Sequence, residues 1–170
     1  MVQRIPKMKE KPQDVVRANE HDQLVGIFQT ELVIRKGVGQ SILDVGCGIG
    51  QYTPMFCERF REVYGLDLSE EFLQIARSAR KRVAYFQGYG ETFNMTKRFG
   101  TISMNNLLEH VDDPQALLTN CKKHLEVGGR IIAQVPNSES ITRRVGTIMG
   151  IIDSTDNISE REKNIYGHKR

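Results

Sequence analysis

Ser41-Ile42-Leu43-Asp44-Val45-Gly46-Cys47-Gly48-Ile49-Gly50 decides how the rest of this chain is read. A short apolar run, Ile42, Leu43 and Val45, suits a strand buried on both faces of a parallel sheet. An acid, Asp44, sits near its end, and three glycines then fall at alternate positions. Glycine has no Cβ, so the chain can turn sharply into a helix and lie with bare backbone against a bound molecule. The spacing is G-x-G-x-G. It is neither the G-x-G-x-x-G of dinucleotide binders nor a P-loop, since no G-K-[ST] follows.

A second strand, Glu62-Val63-Tyr64-Gly65-Leu66-Asp67, ends in another acid 23 positions after Asp44. A carboxylate about 20 residues beyond a Gly-rich turn can accept bonds from both hydroxyls of a ribose. Three further stretches follow in order: Ser69-Glu70-Glu71-Phe72-Leu73, then Asn105-Asn106-Leu107-Leu108-Glu109-His110-Val111-Asp112-Asp113-Pro114, then Val127-Gly128-Gly129-Arg130 leading into Ile131-Ile132-Ala133. With these in place, residues from about 41 to 137 resemble the class I S-adenosylmethionine-dependent methyltransferases. The N-x-L-E-H-x-x-D-P run is similar to that of the small-molecule branch.

The resemblance implies S-adenosyl-L-methionine as cofactor, S-adenosylhomocysteine as product, and methyl transfer to oxygen or nitrogen of a small molecule. It implies that Gly46, Cys47, Gly48 and Gly50 pass beneath the methionine and ribose portions. Asp44 would hold the turn and reach toward the amino group, Asp67 would bind the ribose hydroxyls, and Leu68 would flank the adenine. Relatives usually place an acid at the position of Tyr89 to bond the adenine amino group. Gly88-Tyr89-Gly90-Glu91 has none there, which leaves the backbone at Gly90 and Glu91 to serve. Asn105 would meet the methionine moiety. His110 is the candidate catalytic base, because an imidazole titrates near neutrality; the competing reading locks it structurally beneath the site. Quinone-type relatives with E-x-x-E-H bind magnesium. Here the first carboxylate is the amide Asn106, so no metal is expected.

Two other readings stay open at this point. One is a cofactor-binding domain or fragment without activity of its own. The other is a nucleotide-dependent oxidoreductase on the same kind of sheet, which the G-x-G-x-G spacing and the N-x-L-E-H run oppose.

Strands near 41–45, 62–66, 83–86, 101–104 and 131–135 alternate with helices from about 51–60, from Ser69 and from Pro114. Asp113 suits an N-cap and Pro114 the first helical position. The alternation predicts an α/β, Rossmann-like doubly wound sheet in the order 3-2-1-4-5, helices on both faces, with ligands at the carboxyl ends of the strands. A preceding helix over 14–36 carries Leu24, Ile27, Phe28 and Leu32 on one face and Arg17, Glu20 and His21 elsewhere. Residues 1–13 read as a flexible segment and 14–170 as a single domain. On the helix from Ser69, Phe72, Ile75, Ala76 and Ala79 are expected inside. On the helix from Pro114, the stripe is Leu117, Leu118, Cys121 and Leu125, with Gly128-Gly129 ending it.

The end of the chain departs from the resembled pattern. Ile141, Val145, Ile148, Met149 and Ile152 mark an amphipathic helix bearing Arg143 and Arg144, and 159–165 suits a short helical piece. These arginines and Tyr166–Arg170 fall where relatives vary to recognise acceptors. Nothing in 136–170 reads as the family's last two strands. The expectation is a truncated chain, or a sheet whose open edge a second copy covers as a homodimer.

Bulk properties set the bounds. At 170 residues, 39% hydrophobic and 26% charged, the chain can bury a single core. It has no apolar run of membrane-spanning length and no leader-like start, so a cytoplasmic protein is expected. The net charge of +3 comes from the ends: residues 1–12 and 161–170 hold +3 each, leaving −3 for the body. That charge pattern argues against a nucleic-acid surface. Cys47, Cys57 and Cys121 lack metal-type spacing and read as structural thiols.

Overall fold

The computed structural model describes residues 20–79, 82–137 and 140–150. Its elements are α1 (Glu20–Lys36), β1 (Ser41–Val45), a 3-10 helix (Thr53–Glu58), β2 (Glu62–Asp67), α2 (Glu70–Ser78), β3 (Val83–Gln87), β4 (Phe99–Asn105), α3 (Pro114–Lys123), β5 (Leu125–Gln134) and α4 (Ile141–Ile148). The five strands form one sheet in the order β3-β2-β1-β4-β5, and every pairing is parallel. This is the doubly wound topology the alternation implied.

Period-two side-chain geometry divides the core between the two faces of the sheet. Leu43, Val45, Leu66, Ile102 and Met104 pack on one side with Leu117 and Cys121 of α3. Ile42 and Val63 pack on the other with Val33 of α1 and Phe56 and Phe60 around the 3-10 helix. Every residue of β1 is buried, and β4 is buried up to its last residue, as central strands covered on both faces must be. Asp44 and Ser103, opposite each other in register, share the α1 side of the sheet.

Local chemistry fixes the helix starts. The Ser69 hydroxyl accepts from the Phe72 N–H, and the Asp113 carboxylate accepts from the Ala116 N–H at 2.9 Å, each capping a first turn. Glu70 and Glu71 face the positive end of α2.

Several expectations need correction. The segment after the Gly turn is a 3-10 helix over six residues, opened by Pro54, in place of an α-helix over 51–60. Strand β5 starts at Leu125, so Leu125 leaves the α3 stripe and Gly128-Gly129 lies within the strand, where the register shifts between Phe99 and Thr101. On α2 the buried trio is Phe72, Leu73 and Ala76, while Ile75 is 36% exposed and Ala79 lies outside. On α1 the apolar row turns outward: Leu24, Phe28 and Leu32 are 54%, 66% and 41% exposed. Close approach chose the inner side. A Cβ on Gly26 would stand 2.3 Å from the Tyr52 ring, and Thr30 folds its hydroxyl back onto the Gly26 carbonyl at 2.7 Å. Only small or self-satisfied side chains fit that contact, which leaves the larger apolar ones on the other face.

Residues 1–13, Arg17, Ile152, 159–165 and Tyr166–Arg170 lie outside the described residues, as do the side chains of Glu20, His21 and Arg143. Among the described residues the sheet has five strands, and no helix is long and apolar enough to cross a membrane.

Candidate functional site

The site is built at the carboxyl ends of β1, β2, β3 and β4. Gly46, Gly48 and Gly50 all have left-handed backbone, at φ of 77°, 55° and 69°. An L side chain pays about 1–2 kcal/mol per residue for that region, so the turn is one that only a glycine-rich sequence adopts cheaply. The N–H groups of Gly46 and Cys47 both donate to the Leu66 carbonyl, at 2.8 and 3.1 Å, which ties the turn to β2. A Cβ on Gly46 would meet Leu107, and one on Gly50 would meet Tyr85 and Ala76. A Cβ on Gly48 would meet nothing within 4 Å. The turn is thus supported by packing at both ends and open at its middle.

Asp67 lies against that opening. Its Oδ2 accepts from the Gly48 N–H at 2.8 Å and its Oδ1 from the Ser69 N–H at 2.9 Å. The residue is 8% exposed, and burial raises its carboxyl above the ordinary range while the backbone donors of Ser69 and Gly48 pull it down. Leu68, half-buried beside it, has its carbonyl bonded by the Gln87 amide.

Asp44 is placed beneath the turn. Its two oxygens accept from the Thr53 hydroxyl at 2.7 Å and the Ser103 hydroxyl at 2.8 Å. Burial pushes its carboxyl up to about 6, the two hydroxyls resist, and the nearby Asp67 charge adds to the rise. A carboxyl raised in the folded state from 3.8 to about 6 means the native protein binds that proton more tightly than the unfolded chain. This group's contribution to stability therefore grows as pH falls from about 6 toward about 4 and is smallest above that window. We expect the Tm of the wild type minus that of Asp44→Asn to become more positive between pH 7 and pH 5, in scanning calorimetry. A difference that stays constant over that range would show that Asp44 does not titrate there.

The turn after β3 is held from α3. Asn120, 7% exposed, donates through Nδ2 to the carbonyls of Gly90 at 3.1 Å and Phe93 at 2.9 Å. His124, 6% exposed, stacks on Phe93 with centroids 4.4 Å apart. Its Nε2 accepts from the Met95 N–H, so Nδ1 carries the proton and donates to the Asn120 carbonyl at 3.0 Å. Gly90 sits between Leu117 and Val45, the residue that enters the Gly turn. Tyr89 turns its hydroxyl inward, where it is buried, and Glu91 is half-buried.

The tip of β4 is an amide cluster. Asn105 Oδ1 accepts from Gln134 Nε2 at 2.8 Å, and Gln134 also donates to the Gln29 carbonyl at 2.9 Å. Asn106, in left-handed backbone at φ 51°, exchanges two amide bonds with Gln29, at 3.0 and 3.2 Å. Helix α1 is fastened by these contacts to the tips of β4 and β5. Beyond them Glu109 is 7% exposed with neither oxygen hydrogen-bonded, and burial raises its carboxyl. His110 is partly exposed, its Nε2 4.0 Å from Glu109 Oε1 and its N–H on the Leu107 carbonyl. Among the described residues no cluster of three metal-ligating side chains occurs.

The structure therefore gathers Asp44, Gly46, Cys47, Gly48, Gly50, Asp67 and Leu68 at the tips of β1 and β2. Gly90 and Glu91 follow β3, Asn105 ends β4 and His110 follows it. The thiols of Cys47 and Cys121 are raised chiefly by burial, the second to about 12, so neither is a ready nucleophile. Sequence reasoning passed over Gln29, Thr53, Ser103, Asn120 and Gln134. Asn120 carried a legible signal, being an amide set on the buried stripe of α3 beside Leu117 and Cys121. The others show no local signal.

Residues 43–133 match the family model described as a methyltransferase domain. The chain is 31% identical over 139 residues to a ubiquinone biosynthesis O-methyltransferase of Idiomarina loihiensis, covering 78% of this chain and 55% of that protein. It is 35% identical over 105 residues to the like-named protein of Alkalilimnicola ehrlichii, covering 58% and 42%. The chain thus spans about half the length of these relatives. Among solved structures it is similar to the glycopeptide N-methyltransferase MtfA in complex with S-adenosyl-L-methionine. The TM-score is 0.58 at 27% identity, covering 68% of this chain and 57% of that one. The N-methyltransferase NodS from Bradyrhizobium japonicum shares the fold, with a TM-score of 0.62 at 18% identity, covering 70% and 64%.

Proposed function

The chain belongs to the methyltransferase-domain family, and we propose that it moves a methyl group from S-adenosyl-L-methionine to an oxygen or nitrogen of a small-molecule acceptor. The observation that carries this reading is the left-handed turn at Gly46–Gly50, open over Gly48, with the Asp67 carboxylate against that opening. Bare backbone beside a buried acid is what an adenosine with a free ribose edge requires.

The residues present fit the cofactor by the chemistry of their donors and acceptors. Asp67 would take the ribose hydroxyls and the backbone at Gly46, Cys47, Gly48 and Gly50 would bear the sugar and methionine portions. Leu68, Gly90 and Glu91 would border the adenine, and Asn105 the methionine end. When bound, S-adenosylmethionine supplies a methyl group on a sulfonium, a good leaving group for in-line displacement. The protein's share is position, orientation and exclusion of water. His110, partly exposed at the β4 tip, takes the proton released when an acceptor hydroxyl or amine attacks. A cytoplasmic setting and a homodimer belong to the proposal, the second because β5 ends the sheet among the described residues.

Thermal unfolding monitored with S-adenosylhomocysteine and, separately, with NAD tests the reading. A ligand at a hundred times its Kd stabilises by about 2.7 kcal/mol, which for a domain of this size raises Tm by roughly 5–10 °C. We expect that rise with S-adenosylhomocysteine and none with NAD. Stabilisation by NAD alone would replace the methyltransferase reading with an oxidoreductase.

A further inference from the structure

The turn after β3 lacks the acid that would read an adenine amino group, yet it is held from behind by side chains of α3 and its end. Helix α3 reaches it at several points: both Asn120 amide hydrogens go to carbonyls of the turn, at Gly90 and Phe93, and His124 takes the Met95 N–H while stacking on Phe93. An amide that is 7% exposed and spends both donors on one loop sets that loop's peptide planes.

Peptide geometry carries the consequence. The structure has no cis peptide bonds, so the Glu91 N–H points opposite to the Gly90 carbonyl across one rigid plane. Asn120 draws that carbonyl toward α3, and the N–H is thereby turned away from α3. A Cβ on Gly90 would meet Leu117 and, at 3.4 Å, Val45, so the turn packs beside the strand end that leads into the Gly turn. Among the described residues, the Glu91 N–H donates to no other backbone group.

We propose that Asn120 is a positioning residue for purine recognition: it aims the Glu91 N–H at the ring-nitrogen acceptor of a 6-aminopurine, in place of the missing acid. This rests on the S-adenosylmethionine reading and deepens it by naming what selects the base. A 6-aminopurine offers a bare ring nitrogen there, whereas a 6-oxopurine carries N–H at the same position and sets donor against donor. The chain therefore selects adenosine over inosine through a backbone group whose direction is fixed from behind.

Isothermal titration with S-adenosylhomocysteine and with its 6-oxo analogue, S-inosylhomocysteine, separates this role from a merely structural one. The wild type is expected to prefer the adenosine ligand by about ten- to a hundred-fold, the usual effect of an unpaired buried group. In Asn120→Ala, binding of S-adenosylhomocysteine falls by about ten-fold while that of the 6-oxo analogue changes little, so the preference collapses. Glu91→Pro removes the N–H while leaving Asn120 intact, and it collapses the preference likewise, which covers the case of Asn120→Ala failing to fold. Parallel loss of both ligands in Asn120→Ala, or an unchanged preference in Glu91→Pro, overturns the assignment and leaves the cofactor reading standing. A wild type that binds neither ligand overturns both.

Discussion

Asp67→Ala is expected to weaken S-adenosylhomocysteine binding by about 1–3 kcal/mol, roughly 5- to 150-fold, because a carboxylate facing two hydroxyls in a buried site leaves them unpaired when removed. In the protein itself the carboxylate already accepts the Gly48 and Ser69 N–H groups, one on each oxygen. Each oxygen keeps a second lone pair for a ligand, so the same group can shape the turn and receive the sugar. The substitution therefore acts twice, once through the lost sugar contacts and once through the loosened Gly48 peptide. Asp67→Asn keeps the size and one accepting oxygen, and its loss should be smaller. Titration calorimetry at neutral pH measures both. Affinity unchanged by Asp67→Ala would move the ribose away from the tip of β2.

The largest effect on stability should come from Gly50→Val. A Cβ there would stand 2.5 Å from Tyr85 Oη and 2.9 Å from the Ala76 Cβ, and the backbone is left-handed. The left-handed penalty of about 1–2 kcal/mol adds to an overpacking cost of about 1–3 kcal/mol. The sum, about 2–5 kcal/mol, corresponds to a fall in Tm of roughly 4–20 °C for a domain of this size. Gly48→Ala supplies the contrast. Its Cβ meets nothing within 4 Å, so only the backbone term applies to the fold, while the added methyl stands where the ligand is proposed to lie. Urea unfolding and ligand titration on the two variants should therefore rank them in opposite order. A Gly50→Val protein as stable as the wild type would mean that the support beneath the turn is soft.

The parts of the fold that could be read from sequence are those where one short stretch holds all the information. Ile42–Val45 announces a buried strand by its apolar run, and Glu62–Asp67 does the same with its closing acid. Ser69 and Asp113 announce helix starts because a cap is a contact between residues three apart. Errors arose where a distant partner decides. The inner side of α1 is chosen by Gly26 meeting Tyr52, and the start of β5 at Leu125 by pairing with Phe99, neither of which helical or strand periodicity records. The site divides in the same way. The glycines and both acids were legible in place and type. The Gln29–Asn106 pair spans 77 positions and the Gln134–Gln29 bond spans 105, so no local pattern could reveal them.

The adjacency of β1 and β4 has a consequence for the order in which the molecule is assembled. Asp44 and Ser103 are 59 positions apart along the chain, and between them lie β2, α2 and β3. Bringing them together closes a long loop, a step that comes late because its entropy must be met before any contact rewards it. Ligand capture therefore reports a completed fold: a nascent or partly unfolded polypeptide would be blind to S-adenosylhomocysteine however well its amino-terminal half had formed. Protection of the β1 amides against hydrogen exchange and the appearance of binding should rise together during refolding.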